Sequence, residues 1–402
     1  EMEAEEAKNA PLAFAPRNVE MHSPHFVMHV RGELERKLGR DRVRQGGLRI
    51  YTSLDPRLQT LAEQSARDHI AKIKDLNANN AAVVSIDPHN GEVLAMVGSA
   101  DFNDVAISGQ INMAITPRQP GSSVKPYTYV TAFQNLGYVP AAQVFDTPTC
   151  YPQPPGAPAY CPHNWNYVFN GVQPIRVALA SSLNIPALDV LYNIGVPAFI
   201  ATAHKFGITD INKPANQYGL AITLGAAEIK LLDHVFGYTV FANNGKMIGE
   251  ALPPNQVKPG YAPYGPASLL SVSNYRGDSI YKYTPAPPIQ VVPPEYAYLI
   301  TASISDDSSR VLTYGRHSYL ELSRPNAAKT GTTEFRGDAW TMGYTPDLVA
   351  GVWVGNPDNS PMLNVEGVSA AGVIWHNYME DALKGTPATV FAIPPNIGQG
   401  QV

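Results

Sequence analysis

Two β-hairpin patterns stand at opposite ends of the chain, with a long helix- and loop-rich stretch between them. The first runs from Ala81 to Ile86, turns at Asp87-Pro88-His89-Asn90-Gly91 and returns over Glu92 to Val97. The second runs from Asp338 to Gly343, turns at Tyr344-Thr345-Pro346-Asp347 and returns over Leu348 to Gly355. Short β-branched and apolar runs bounded by Pro, Gly, Asn and Asp are hairpin signals. A further strand is predicted over Asn326 to Thr333. A hairpin leaves two sheet edges to cover, so distant hairpins can complete one another. The pattern predicts an α+β fold with a central antiparallel sheet, flanked and interrupted by helices.

Helix signals fill the rest. Pro24 to Gly39 places Phe26, Val27, Val30, Leu34 and Leu38 near helical spacing. Asp55-Pro56 opens a helix to about Ile73, with Asp55 as cap and Pro56 in the first turn. Further helices are predicted at Val172–Leu183, Pro186–Ile194, Ala226–Ala242, Pro294–Ile304 and Val373–Leu383. Leu48 to Thr52 alternates as a strand does, and a small hairpin is expected around Gly277-Asp278. Residues 246–292 are rich in Pro, Gly and Tyr, and loop packing is the expected use of those rings.

Charge and composition narrow the function. The 402 residues carry a net charge of -5 with no basic stripe, which argues against nucleic acid as a partner. Charged residues make up only 16%, while Pro and Gly number 36 and 32, as in a loop-rich extracytoplasmic protein. No apolar run is long enough to span a bilayer, and the first residues, Glu1 to Glu6, are not a signal peptide. Any membrane anchor is expected only in a longer gene product. Two cysteines, Cys150 and Cys161, bracket a Pro-rich loop. A disulfide closing that loop is expected in an oxidising compartment, two buried thiols being the alternative; the Cα separation decides. The histidines form no zinc motif, so no metal or other cofactor is expected.

Three short patterns carry chemistry. In Arg118-Gln119-Pro120-Gly121-Ser122-Ser123-Val124-Lys125-Pro126 a turn runs into a helix, with Ser122 at its start. Ser122 and Lys125, three apart, share a helix face. A serine beside an amine at the positive end of a helix is an activated nucleophile; an N-cap serine with a solvated lysine is the plain alternative. Ser182-Leu183-Asn184 ends a predicted helix just before Pro186. Lys329-Thr330-Gly331-Thr332-Thr333 lies on a predicted strand, and without a preceding glycine loop it is not a phosphate-binding loop.

In this order the three patterns resemble the active-serine penicillin-recognising family, which carries Ser-x-x-Lys, Ser-x-Asn and Lys-Thr-Gly elements. Leu183 stands where some members have Asp, a form usual in class A, bifunctional penicillin-binding proteins. Resemblance to that class extends to Gly47–Pro56, Ser181–Ala187, Asp338-Ala339-Trp340 and Gly343-Tyr344-Thr345-Pro346. It implies a penicillin-binding-protein/β-lactamase-like transpeptidase fold over residues 81–383, after a linker at 24–80 and before an irregular tail at 384–402. Residues 1–23 resemble the end of a glycosyltransferase domain whose catalytic body is missing here.

The resemblance also implies roles. Ser122 would attack the penultimate D-Ala carbonyl of a peptidoglycan stem peptide, with Lys125 as base and Ser182 relaying the proton. Lys329 would serve as second cation. Asn184 would bond the substrate amide, and Thr330 and Thr332 its carboxylate, with Gly331 and Thr333 completing the binding strand. The Ser122 and Thr332 N–H groups would form the oxyanion hole. β-Lactams would acylate Ser122, on the extracytoplasmic face of a bacterial membrane. A β-lactamase, a D,D-carboxypeptidase and a β-lactam sensor remain alternatives. Trp340 is expected to pack the sheet, and Asp338 to bond backbone or an arginine such as Arg336, or else to sit in a solvated turn.

Overall fold

The structure, a computed structural model, describes residues 21–152, 156 and 158–398. Residues 1–20, which hold most of the expected glycosyltransferase remnant, lie outside the described residues. Helices of six residues or more are α1 (Pro24–Leu38), α2 (Pro56–Ile73), α3 (Lys125–Leu136), α4 (Ile175–Ala180), α5 (Asn184–Ile194), α6 (Val196–Lys205), α7 (Leu231–Ala242), α8 (Pro294–Ile304) and α9 (Ala371–Leu383). Strands of four residues or more are β1 (Leu48–Thr52), β2 (Asn80–Ile86), β3 (Val93–Val97), β4 (Gln143–Asp146) and β5 (Gly171–Pro174). They continue with β6 (Leu269–Asn274), β7 (Ser279–Lys282), β8 (Ala327–Thr332), β9 (Asp338–Tyr344) and β10 (Val349–Gly355).

The two hairpins join as expected. The central sheet has the order β8-β9-β10-β2-β3, antiparallel throughout, and its seam pairs Val349 with Ile86 and Trp353 with Ala82. Strand side chains alternate between faces, so both faces need cover. On one, Ala81, Val83 and Val352 meet Leu58, Ala62 and Ile70 of α2 and Ile374, Trp375 and Tyr378 of α9. On the other, Ala82, Val84 and Ile86 meet Tyr127 of α3 and Val235 and Phe236 of α7. Burying each large apolar side chain contributes about 1.5–3 kcal/mol, well above any exposed ion pair.

Local chemistry sets the elements. Asp55 Oδ1 accepts from the N–H groups of Arg57 (2.8 Å) and Leu58 (3.0 Å), capping α2 as its sequence predicts. One turn on, Gln59 covers the β3 edge: its Oε1 accepts from Met96 N–H at 2.9 Å and its Nε2 donates to Met96 O at 3.2 Å. That satisfies an edge that would otherwise be open to pairing. Within the segment 24–80, the apolar faces of α1 and α2 pack into the core. β1 pairs with β6, and β6 with β7, in a separate three-stranded sheet.

Some expectations fail locally. The helix predicted from Val172 is a strand at its start, because Gly171–Pro174 pairs with β4 and Pro174 then fixes the entry into α4. α7 begins at Leu231, not Ala226, and α6 had no expected counterpart. The Tyr-rich stretch packs loops, as expected: Tyr264 Oη donates to Pro287 O at 2.8 Å, and Tyr261 stacks on His204. Cys150 and Cys161 form a disulfide, with their Cα atoms 4.2 Å apart. No single helix among the described residues is long and apolar enough to cross a membrane.

Candidate active site

Ser122 does not cap an α-helix. It is the second residue of a 3-10 turn, Gly121–Val124, that leads into α3 with Pro126 in the first turn. Residues three apart eclipse in a 3-10 turn, so Ser122 and Lys125 still share a face. The Ser122 N–H lies in the first turn, where backbone N–H groups point out of the helix start and suit an anion. Ser122 is partly exposed, while its neighbour Ser123 is buried.

Ser123 anchors the turn. Its Oγ donates to Pro120 O at 2.8 Å, so the hydrogen it receives from His234 Nε2, 2.9 Å away, comes from the imidazole. Nδ1 of His234 then accepts from Tyr127 Oη at 2.9 Å. Burial pushes the His234 pKa down to about 3, which keeps the ring neutral and this tautomer in place. Tyr238 Oη donates to Ser123 O at 2.7 Å. Nothing in the spacing of His234 marked it for this role.

Lys125 is fully buried. Its Nζ donates to Ser182 O (2.7 Å), Asn184 Oδ1 (2.8 Å) and Leu183 O (3.0 Å), with Ser182 Oγ at 3.5 Å. Burial pushes its pKa well below the usual lysine value, the Lys329 cation adds to that, and Asp146 opposes it. Among the described residues Lys125 makes no hydrogen bond to Ser122 Oγ. Three carbonyl-type acceptors hold all three ammonium protons, so losing one frees the amine to turn toward the nucleophile.

Ser182 closes the end of α4, as expected: its N–H donates to Leu179 O at 3.1 Å and the Leu183 N–H to Ala178 O at 2.9 Å. The Ser182 φ of 60° is the left-handed state that this helix ending requires, one usually taken by glycine or asparagine. Lys329 Nζ donates to Ser182 Oγ at 2.7 Å and to Thr330 O at 2.9 Å. Burial, then Arg310, bring the Lys329 pKa down to about 7. Asn184 is braced by the chain: its N–H donates to Asn164 Oδ1 at 2.8 Å and its Nδ2 to His163 O at 2.7 Å. Buried Asp146 organises this loop, accepting from Asn164 Nδ2 (2.8 Å), Asn170 N–H (2.8 Å) and Asn170 Nδ2 (2.7 Å).

β8 lies at the sheet edge beside the nucleophile turn. A Cβ on Gly331 would stand 2.1 Å from Pro120 O, and one on Gly121 2.6 Å from Thr332 N. Both glycines are therefore contact points, and Gly121 also has φ +56°. Thr332 Oγ1 accepts from Gly367 N–H at 2.9 Å and keeps its own proton for a ligand. Thr330 Oγ1 lies 2.5 Å from Tyr314 Oη. Thr333 turns away: its Oγ1 accepts from Asp338 N–H at 3.0 Å, closing the hairpin.

Asp338 is neither in a solvated turn nor paired with Arg336. Its Oδ1 accepts from Arg118 Nε at 2.6 Å and from Trp353 Nε1 at 2.8 Å, all buried. Arg336 Nη1 instead donates to Asn364 Oδ1 on the surface at 2.7 Å. The pair ties the sheet to the segment leading into Ser122. Trp340 is buried in the sheet face, edge-on to His234, as expected.

Comparison with known proteins gives the family. The transpeptidase domain family of penicillin-binding proteins matches residues 81–380. Penicillin-binding protein 2D of Bacillus subtilis (strain 168) is 32% identical over 407 residues, covering 98% of this chain and 54% of that protein. Penicillin-binding protein 1B of Vibrio cholerae is 30% identical, covering 89% of this chain and 43% of that protein. The chain thus spans about half the length of the curated relatives it matches. Among solved structures, PonA1 of Mycobacterium tuberculosis in complex with penicillin V superposes with a TM-score of 0.75 at 26% identity, covering 94% of this chain and 97% of that one. The family model covers residues 81–380 and a relative is 32% identical over nearly the whole chain, so the chain belongs to the transpeptidase domain family of penicillin-binding proteins.

Proposed function

We propose that this chain is a D,D-transpeptidase that cross-links peptidoglycan stem peptides through an acyl-serine, and that β-lactams acylate the same serine. The observation that carries this reading is the Ser182 hydroxyl, held by Lys329 at 2.7 Å with Lys125 at 3.5 Å. A hydroxyl between two amines of lowered pKa is suited to pass a proton in either direction. Ser122 Oγ bonds to the penultimate D-Ala carbonyl carbon while its proton goes to neutral Lys125. The carbon–nitrogen bond then breaks, and Ser182 delivers a proton to the leaving D-Ala amine. A stem-peptide amine attacks the ester, loses its proton by the reverse route and frees Ser122.

The binding roles follow the chain's own groups. The N–H groups of Ser122 and Thr332 stabilise the oxyanion; loss of one such donor costs about 3 kcal/mol. Lys329 and the Thr330 and Thr332 hydroxyls receive the carboxylate. Asn184 holds Lys125 through Oδ1, and the second proton on its Nδ2 remains for the substrate amide. Gly331 keeps the strand close to the nucleophile turn, and Thr333 closes the hairpin behind it. The Cys150–Cys161 disulfide suits an oxidising compartment, in keeping with the extracytoplasmic face of the bacterial membrane. Residues 1–23 are assigned to the end of a glycosyltransferase domain carried by the full-length protein.

An amine acceptor separates this reading from a lactamase or carboxypeptidase. The test supplies glycan bearing a D-Ala-D-Ala donor peptide together with an amine acceptor. Cross-linked product in excess of hydrolysed product supports a transpeptidase; hydrolysis alone would assign a carboxypeptidase.

A further inference from the structure

A segment outside all three motifs braces the active site. A 3-10 turn, Asp307–Arg310, continues into one helical turn, Val311–Tyr314. Two hydrogen bonds dock it on the Ser181–Ser182 link. Ser181 Oγ donates to Ser309 O at 2.8 Å, and Thr313 Oγ1 donates to Ser181 O at 2.5 Å. From that footing Tyr314 crosses to β8, where its Oη lies 2.5 Å from Thr330 Oγ1. The Ser182 side chain is close enough to act on the same phenol.

Thr330 has one hydroxyl proton and little exposure, at 4%. If Thr330 donated to Tyr314, that proton would face inward and no ligand could use it. If Tyr314 donates, Thr330 is fixed as an acceptor on its inner side and its proton points elsewhere. The chemistry favours the second arrangement. The Ser182 oxygen already accepts from Lys329 at 2.7 Å and faces Lys125 at 3.5 Å, so toward the phenol Ser182 is a donor and Thr330 Oγ1 is the acceptor left for the Tyr314 proton.

We propose that Tyr314 is a positioning residue for substrate binding: by donating to Thr330 Oγ1 it orients the Thr330 hydroxyl toward the ligand carboxylate. This rests on the acyl-serine reading above. Its signature is dependence on the ligand's carboxylate, which a merely structural role for Tyr314 would not show.

The test measures acylation efficiency with penicillin and with its methyl ester, on folded protein checked by thermal melting. Tyr314→Phe is expected to slow acylation by penicillin roughly tenfold, the size of one charge-assisted hydrogen bond, and to leave the ester within about twofold. Thr330→Val should show the same selectivity, and the Tyr314→Phe/Thr330→Val double variant should be no worse than Thr330→Val alone. Thr330→Ser, which keeps a hydroxyl, should keep the sensitivity to Tyr314→Phe. Equal losses on both ligands, no loss on penicillin, or additive losses in the double variant would each overturn the proposal. A wild-type protein that penicillin does not acylate would overturn the acyl-serine reading itself, and this inference with it.

Discussion

Gly331 stands against Pro120 so closely that a single added carbon would lie 2.1 Å from the Pro120 carbonyl oxygen. The contact sets the distance between the edge strand and the nucleophile turn. Gly331→Ala must push them apart, at a cost of about 1–3 kcal/mol for overpacking. The larger effect falls on chemistry, since a misplacement of about 1 Å can cost on the order of 100-fold. Penicillin labelling should fall by that order while the thermal midpoint drops by only a few degrees. Unchanged labelling would show that the contact does not set the site.

The buried pair Arg118–Asp338 makes a different prediction. Removing one member leaves a buried charge alone, a loss of about 3–5 kcal/mol. Arg118→Met and Asp338→Leu should each show that loss in urea unfolding. The double variant should recover part of it, because two apolar groups leave no unpaired charge. Additive losses would mean that the two residues act separately.

Lys329 ties activity and stability to pH. Its pKa is about 7 in the fold, against about 10.4 for a free lysine. Between those values the unfolded chain holds a proton that the folded chain has released, so this group's contribution to stability rises with pH across the window and is lost as pH falls toward 7. The stability difference between wild type and Lys329→Met should grow from pH 7 to pH 10. Activity runs the other way, because the ammonium is the form that receives a carboxylate. Acylation efficiency should fall above pH 7, and the fall should shift upward once ligand is bound, as the carboxylate stabilises the ammonium. A fall at the same pH in free and bound enzyme would remove Lys329 from the carboxylate site.

Much of this was legible in the residues themselves. Asp55-Pro56 marks the start of α2 because capping is local, and the hairpins announce themselves through turn residues beside β-branched runs. Motif order names Ser122, Lys125, Ser182 and Lys329 without coordinates, and the fold brings the last three within hydrogen-bond reach of one another through Ser182. What stayed hidden depends on contacts between distant segments. Arg118 and Asp338 are 220 residues apart, and nothing in either neighbourhood names the other. Val172–Pro174 reads as helix because the pairing of Gly171–Pro174 with Gln143–Asp146 leaves no periodic trace in so short a run. The 3-10 geometry at Ser122, the left-handed Ser182 and the bracing by His234, Asp146 and Tyr314 belong to the same class.

The central claim is that Ser122 becomes covalently acylated. Intact mass spectrometry of the protein mixed with penicillin, followed over hours and then by peptide mapping, tests it directly. The account predicts one persistent adduct per chain, on Ser122, absent from Ser122→Ala. An adduct on another residue, or none, would contradict it, and an adduct lost within seconds would make the chain a lactamase.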